Sequence, residues 1–375
     1  MSTRGPVGVG LIGAGNISGQ YLRSLTSFPD LKVHIVGDLD TDRARAQADE
    51  YSVPRSGTAA DVLAHDDVEI VVNLTIPAAH ADVSSRALSA GKHVWSEKPL
   101  AIDRDSAHSV LDQAATAGLR LGVAPDTALG PAVQTARRAL ARGDIGRPLS
   151  AQTVMQYAGP DAWHPSPEFL FAKGAGPLFD MGPYYITTLL NLFGPAERVA
   201  AVGSTGRKVR TIRTGDRAGT SFDVAVPTHV SALVQFAAGG VSQSVFSFDS
   251  PLTRVGVVEI TGTEGTMVLP DPNSFNGDVK ITRGSLVGDA KADPLWHTLP
   301  SASAETGRGL GVLDMARALR AGRPHIATGD LGYHALDILV AIDESVTTGE
   351  NVRLSSSLDK IPYVDESVGP FDATL

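Results

Sequence analysis

Val7-Gly8-Val9-Gly10-Leu11-Ile12-Gly13-Ala14-Gly15-Asn16-Ile17-Ser18 is the stretch from which the rest of the chain is read. Val7–Ile12 lacks polar side chains, as a strand buried on both faces of a parallel sheet does. The glycines follow at once. Gly13 permits a tight turn out of the strand, and Gly15 lets a pyrophosphate approach the backbone. A helix opening near Asn16 and Ile17 offers free N–H groups and a positive dipole end to that phosphate. Ser18 takes the third position of the G-x-G-x-x-G pattern and is small enough for close helix–strand packing. The stretch predicts a dinucleotide-binding turn.

Outward from it, strand and helix periods alternate. Residues 16–28 place Ile17, Tyr21, Leu22 and Leu25 on one helix face; 32–37 read as a second strand and 41–51 as a helix capped by Thr41. A helix over 58–65, a strand over 69–74, a helix over 78–90 and a strand over 93–96 follow. Asp103 then caps a helix that stops at Gly118, ahead of a fifth strand over 120–124. Such alternation predicts a doubly wound parallel sheet, an α/β Rossmann domain over residues 1–125. Asp38 ends the second strand, 25 residues beyond Gly13, near the spacing of about 20 at which an acid takes the adenosine ribose hydroxyls. A carboxylate there repels a 2′-phosphate, so NAD is expected over NADP, with Arg43 nearby pulling the other way.

Composition narrows the function. Among 375 residues, 32 Lys and Arg stand against 41 Asp and Glu, a net charge of −9. That balance, with a basic stretch as short as Arg207-Lys208-Val209-Arg210, argues against nucleic acid as a partner. The absence of cysteine excludes disulfides and thiolate chemistry and fits a cytoplasmic location. No window approaches the roughly 18 apolar residues of a membrane span. The opening Met1-Ser2-Thr3-Arg4 and the short apolar run behind it do not read as a signal peptide.

Ala90-Gly91-Lys92-His93-Val94-Trp95-Ser96-Glu97-Lys98-Pro99-Leu100 leaves the carboxyl end of the fourth strand, where ligands of open α/β sheets bind. With the glycine turn and the upstream Pro77-Ala78-Ala79-His80, it resembles the Gfo/Idh/MocA family of sugar and polyol oxidoreductases. The resemblance implies a second, α+β domain with a large, mainly antiparallel sheet, here residues 126–375. It also implies cofactor contacts from Gly13, Gly15, Asn16, Ile17, Asp38, Thr75, Pro77, His80, Glu97 and Lys98. Successive side chains of an extended segment point apart, so Lys98 can face the nicotinamide while Glu97 positions the cofactor or the loop. An ammonium there stabilises the alkoxide that forms as hydride leaves, and Pro99 fixes the backbone behind it.

In the second domain Asp126 and Thr127 are candidates for substrate hydroxyls, or equally a turn with a helix cap. Apolar spacing predicts a helix over 177–193, with Asp180 and Tyr184 on one face at i and i+4 and a kink at Pro183 between them. This resembles the family's Asp-x-Gly-x-His motif, with Tyr184 at the histidine position as in some of its branches. A neighbouring Lys98 ammonium would lower the tyrosine from its usual value near 10 and fit it for proton transfer. Trp163 and His164, in the rigid loop 161–167, can border a sugar. Beyond residue 199 the pattern is strands without intervening helices, over 230–236, 241–248, 254–261, 265–269 and 278–282, closed by helices over 308–321 and 330–348. Arg308 and His334 can border the pocket. No metal is expected, because His80, His93, His325 and His334 lack a ligand spacing. The resemblance implies a homodimer or homotetramer built on one face of the sheet.

Together these readings predict an NAD-dependent dehydrogenase of a small-molecule sugar, cyclitol or related polyol. Lys98 would stabilise the oxygen, Tyr184 relay the proton and Asp180 orient. An NAD-dependent glycosidase acting by transient oxidation is the enzymatic alternative. A sugar- or dinucleotide-sensing regulator without turnover is the other, and retention of both Lys98 and Tyr184 weighs against it.

Overall fold

The computed structural model describes residues 5–283, 295–301 and 304–375; the first four residues, on which part of the signal-peptide reading falls, lie outside them. The chain forms two compact units. One comprises Met1–Pro131, Ala302–Leu336 and Ile361–Leu375, the other Ala132–Ser301 and Asp337–Lys360. The first of these units is discontinuous, with two late segments grouped with the residues before 132.

The first unit is laid down as β1 (Val7–Ile12), α1 (Ser18–Leu25), β2 (Leu31–Gly37), α2 (Thr41–Glu50), β3 (Arg55–Gly57), α3 (Ala59–Leu63), β4 (Ile70–Asn73), α4 (His80–Ser89), β5 (His93–Ser96), α5 (Arg104–Ala117) and β6 (Leu121–Val123). Its sheet runs β3-β2-β1-β4-β5-β6, with every neighbouring pair parallel, the strand order of a dinucleotide-binding fold. Edge strand β3 has three residues and no apolar pattern, so periodicity does not reveal it. Asp40, not Thr41, caps α2 by accepting from the Asp42 and Arg43 N–H groups. The expected ends of α5 hold: Asp103 accepts from the Ser106 N–H, and Gly118 takes the left-handed conformation at φ 64°.

Helix α8 (Leu310–Ala321) completes this unit. Gly311 lies so close to Trp95 that a Cβ would fall 2.0 Å from the indole. Arg320 forks onto Glu69 at 2.9 and 2.6 Å, and Arg317 binds Asp30 at 2.7 Å. Asp30 also accepts the Thr374 and Leu375 N–H groups, which explains why the chain's last segment belongs here.

The second unit contains α6 (Pro131–Arg142), β7 (Pro148–Gln156), α7 (Gly176–Phe193), β8 (Ala196–Ser204), the hairpin β9 (Val209–Thr211) and β10 (Ser221–Asp223), β11 (His229–Phe236), β12 (Val241–Ser247), β13 (Arg254–Gly262), β14 (Thr266–Leu269), β15 (Lys280–Thr282), β16 (His297–Thr298) and β17 (Val352–Arg353). The sheet order is β16-β15-β14-β13-β7-β12-β11-β8-β17. Among the described strands of this sheet, only β7 and β12 pair in parallel. Helix α7 is buried along almost its whole length and runs through Pro183 as one helix. Its Tyr185 ring meets Phe246 edge-on at 5.7 Å, and Phe193 stacks on Phe236 at 4.9 Å. Helix α9 (Gly329–Thr348) contains the division between the units. Among the described residues no helix is long and apolar enough to cross a membrane.

Candidate active site

The turn after β1 has the properties a phosphate cradle needs. Gly13 has φ +108°, and a Cβ there would fall 2.6 Å from the Leu74 carbonyl oxygen, so glycine is required by both conformation and space. Gly15 is exposed and a Cβ there would meet nothing within 4 Å; the room lies in front of the turn. Helix α1 opens at Ile17 with no side-chain cap, which leaves its positive end to an anion. Asn16 beside it is exposed. Ser18 is buried and donates to the Gly15 carbonyl at 2.6 Å, closing the turn from below.

Asp38 is buried at the end of β2. Its Oδ2 accepts the Ala14 N–H at 2.6 Å, tying the acid to the glycine turn, while Oδ1 accepts from the Asp40 N–H at 2.8 Å and Arg43 Nη2 at 2.6 Å. Burial works to raise this carboxyl, but Arg43 and the two N–H groups outweigh it and hold it below its usual range. Asp38 is thus an anion at neutral pH, and Arg43, half exposed, is its partner.

Beyond β4 and β5, two buried networks hold the loops. Asn73 accepts from the Thr75 N–H and hydroxyl at 3.2 and 2.7 Å, and donates to the His80 carbonyl at 3.0 Å and the Ser84 hydroxyl at 3.1 Å. The His80 ring is buried, with Nδ1 2.6 Å from the Pro99 carbonyl and Nε2 2.9 Å from the Thr75 carbonyl. Both nitrogens thus face backbone, and His80 ties one loop to the next. Burial pushes it below its usual value, against the two carbonyls and Glu97. Pro77 opens a single 3₁₀ turn that leads into α4. Glu97 is directed inward, accepting from the Tyr21 hydroxyl at 2.8 Å and the Lys98 N–H at 3.0 Å, while Trp95 donates to the same tyrosine at 3.3 Å. Lys98 is half-buried, between two residues fixed by these networks. Sequence reasoning passed over Asn73 and Tyr21, which the networks need.

Asp126 does not present itself as a sugar contact. It is fully buried, and its Oδ2 accepts the Gly309 and Gly311 N–H groups at 2.8 and 3.0 Å, so it caps α8 from far away in sequence. Burial pushes its carboxyl up to about 6, against those two N–H groups and Arg308. Asp126 Oδ1 and the Thr127 hydroxyl are buried without a protein partner. Arg308 donates to Gln20 at 3.2 Å, and His334 is fully buried.

In the second unit the two adjacent tyrosines of α7 divide their work. Tyr185 is a core residue whose hydroxyl accepts the Gly256 N–H at 2.8 Å. Asp180 faces Tyr157, a residue at the end of β7 that sequence reasoning missed; burial, then the Asp180 charge, raise the Tyr157 hydroxyl above its usual value, while the Trp163 indole N–H faces it and opposes them. Trp163 is 59% exposed and packs edge-on against His164, which meets Phe169 in the same way. Asp180, Tyr157, Trp163 and His164 thus cluster, with Tyr184 one turn along α7 from Asp180 and largely buried. Arg210 anchors the loop. Sealed from solvent, it donates to Asp161 at 2.6 Å, to the Ala158 and Phe248 carbonyls at 2.9 and 2.6 Å and to Asp249 at 2.5 Å, and lies over the Phe171 ring.

The chain is 27% identical over 360 residues to 1,5-anhydro-D-fructose reductase of Ensifer adhaerens, covering 93% of this chain and 99% of the relative. It is 28% identical to trans-1,2-dihydrobenzene-1,2-diol dehydrogenase of Bos taurus, covering 70% and 74%. The solved levoglucosan dehydrogenase in complex with NADH and levoglucosan shares the fold, with a TM-score of 0.79 at 22% identity, 94% of this chain and all of that one being covered. Residues 7–124 match the NAD-binding Rossmann fold of the oxidoreductase family GFO/IDH/MocA, and residues 133–268 match the GFO/IDH/MocA C-terminal domain. The chain is an NAD-binding oxidoreductase and belongs to the Gfo/Idh/MocA family.

Proposed function

We propose that the protein is an NAD-dependent dehydrogenase of a sugar, cyclitol or related polyol. The observation that carries this reading is the setting of Lys98. It leaves the carboxyl end of β5 between Glu97, held by Tyr21, and Pro99, whose carbonyl faces His80. A backbone held on both sides suits a residue whose ammonium stabilises a developing alkoxide, a task that needs a charge positioned beforehand. The cradle fits a dinucleotide, with Gly13, Gly15, Asn16 and Ile17 toward the pyrophosphate, Asp38 toward the adenosine ribose, and Thr75, Pro77, Glu97 and Lys98 along the way to the nicotinamide. NAD, when bound, supplies the hydride acceptor. The chain's part is to hold the carbinol oxygen on Lys98, to pass its proton through the Tyr184 hydroxyl, and to orient the remaining hydroxyls with Asp180, Trp163 and His164. The sugar-acting relatives support a polyhydroxylated substrate.

Turnover of a sugar and polyol panel with each cofactor tests the reading. Lys98→Ala is expected to lose about 100- to 1000-fold in kcat on the best substrate, and Tyr184→Phe about 100-fold or more. Wild-type turnover by Lys98→Ala refutes the assignment. Release of the aglycone from an aryl glycoside without net NADH would favour the glycosidase instead.

We also propose that the chain is a homodimer or homotetramer built on the strand-lined face of the large sheet, where Val202, Leu233 and Val241 are at least half exposed. Leu233→Arg is expected to reduce the mass measured by light scattering to that of one chain, and an unchanged mass counts against this contact.

A further inference from the structure

The structure gathers two histidines that carry no metal-ligand spacing in the sequence. His34, His65 and Asp67 each offer a ligand atom, and these atoms lie within 4.8 Å of one another. Their place is toward the end of the parallel sheet opposite the glycine turn. We infer that His34, His65 and Asp67 form a site for a divalent transition metal of the zinc type, fastening β2 to the turn that precedes β4.

The backbone is arranged around these three residues. Strands β1 and β2 pair in register as far as Val9 with Val33 and resume at Gly10 with Ile35, so His34 is an extra residue in β2. A bulge of this kind re-aims its side chain, and the His34 and His65 rings lie 5.3 Å apart. Gly8 makes room for the turn: a Cβ there would fall 1.7 Å from the Asp67 carbonyl oxygen and 3.2 Å from His34 Cδ2. The buried Lys92 ammonium donates to the His65 and Val68 carbonyls at 2.9 and 2.8 Å. The Asp67 N–H donates to His65 Nδ1 at 3.2 Å. Two of the three ligands therefore sit on a turn fixed in advance. His65 also borders a cleft of about 560 Å³ shared with Arg55 and Asp61, and Asp67 is exposed.

The charges select the metal. Lys32, Arg55 and Asp67 are the charged groups that act on His34 beside His65, and a neutral imidazole offers a metal its lone pair. With Lys32 and Arg55 offsetting one carboxylate, Mg²⁺ and Ca²⁺, which bind through oxygens and charge, gain little. Two imidazoles and a carboxylate suit Zn²⁺, Ni²⁺ or Cu²⁺, with remaining positions for water.

The test uses the full chain, treated with chelator and dialysed, titrated with ZnCl₂ and separately with MgCl₂ in a calorimeter and in thermal melts. One Zn²⁺ per chain is expected, with a Tm that rises with Zn²⁺ concentration and no response to Mg²⁺. The double variant His34→Gln, His65→Gln should bind at least roughly 100-fold more weakly, the loss that even an outer-shell partner can cause. Should that variant not fold, the exposed Asp67→Asn gives the same reading with a smaller loss. No Zn²⁺ binding, an equal response to Mg²⁺, or wild-type affinity in the variants overturns the proposal. None of these results bears on Lys98 or the dehydrogenase reading.

Discussion

In the first unit Arg43 meets Asp38 at 2.6 Å, and in the second Arg210 meets Asp161 at the same distance. The chemistry is identical and the surroundings are not. The Arg43 side chain is 51% exposed, whereas that of Arg210 is 1% exposed, with Asp249, two carbonyls and the Phe171 ring completing its shell. A cation open to water exchanges partners at little expense, since it is solvated either way, and the buried Asp38 keeps two N–H donors of its own. A sealed pair is held by everything around it, because either ion left alone would be desolvated and uncompensated. Arg43 thus has the setting of a binding residue held in reserve, while Arg210 is a brace for the loop that carries Trp163 and His164.

The strongest challenge to this contrast is Arg210→Met. It leaves the buried Asp161 with only the exposed Arg213 at 3.9 Å and two carbonyls without donors, and is expected to destabilise the protein by about 3–5 kcal/mol in urea unfolding, with a red shift of tryptophan emission as the loop loosens. Arg210→Lys, which keeps the charge but not the fork, should fall between. A loss below about 1 kcal/mol would put the sealed pair on the footing of a surface one.

Asp126 supplies the case of a buried aspartate held mainly by backbone N–H groups. Its folded value is near 6 against an ordinary 3.8. A carboxyl raised on folding contributes stability that is present below pH 4 and lost as pH rises through 6. Asp126→Asn keeps an oxygen for the Gly309 and Gly311 N–H groups and removes the buried charge. It should therefore gain about 1–3 kcal/mol at pH 8 and nothing near pH 4. If the carboxylate instead served a substrate hydroxyl, the variant would show a raised KM without the stability gain.

What the sequence discloses follows the range of the interactions. The six-strand sheet is legible but for β3, because apolar runs and glycines are local signals and β3 carries neither. The glycine turn is a local signal of the same kind, Asp38 is proposed from its spacing to that turn, and Lys98 is proposed from the resemblance carried by Glu97-Lys98-Pro99. The supporting contacts are not. Tyr21 reaches Glu97 across 76 residues, Arg210 reaches Asp161 across 49, and Asp126 reaches Gly309 across 183. Nothing in the spacing around either partner announces such a pair. The return of α8 and the last residues to the first unit escapes a reading by linear cuts for the same reason, as Arg320 on Glu69 and Asp30 on Thr374 are long-range bonds. His34 is hidden differently: a one-residue bulge places it, and a strand's apolar pattern does not register that.

The finest test returns to the open pair. Asp38→Ser removes the anion that disfavours a 2′-phosphate and frees Arg43, one helix turn into α2, to meet that phosphate. NADP should then gain on NAD by about 10- to 100-fold in kcat/KM, or about 1.4–2.7 kcal/mol of transition-state binding. Part of the loss with NAD comes from the turn itself, since Asp38 also accepts the Ala14 N–H. Arg43→Ala alone should change stability by less than about 1 kcal/mol and leave NAD turnover nearly intact, because half its surface is in water already. Combined with Asp38→Ser, it should remove the NADP gain. The non-additivity of the two changes is the measurement that matters: it isolates the guanidinium's contact with the phosphate from the loss of the acid. If Asp38→Ser brings no NADP turnover, or if the gain survives without Arg43, exposure does not distinguish a reserve ligand from a brace, and the contrast between the two arginines fails at its open end.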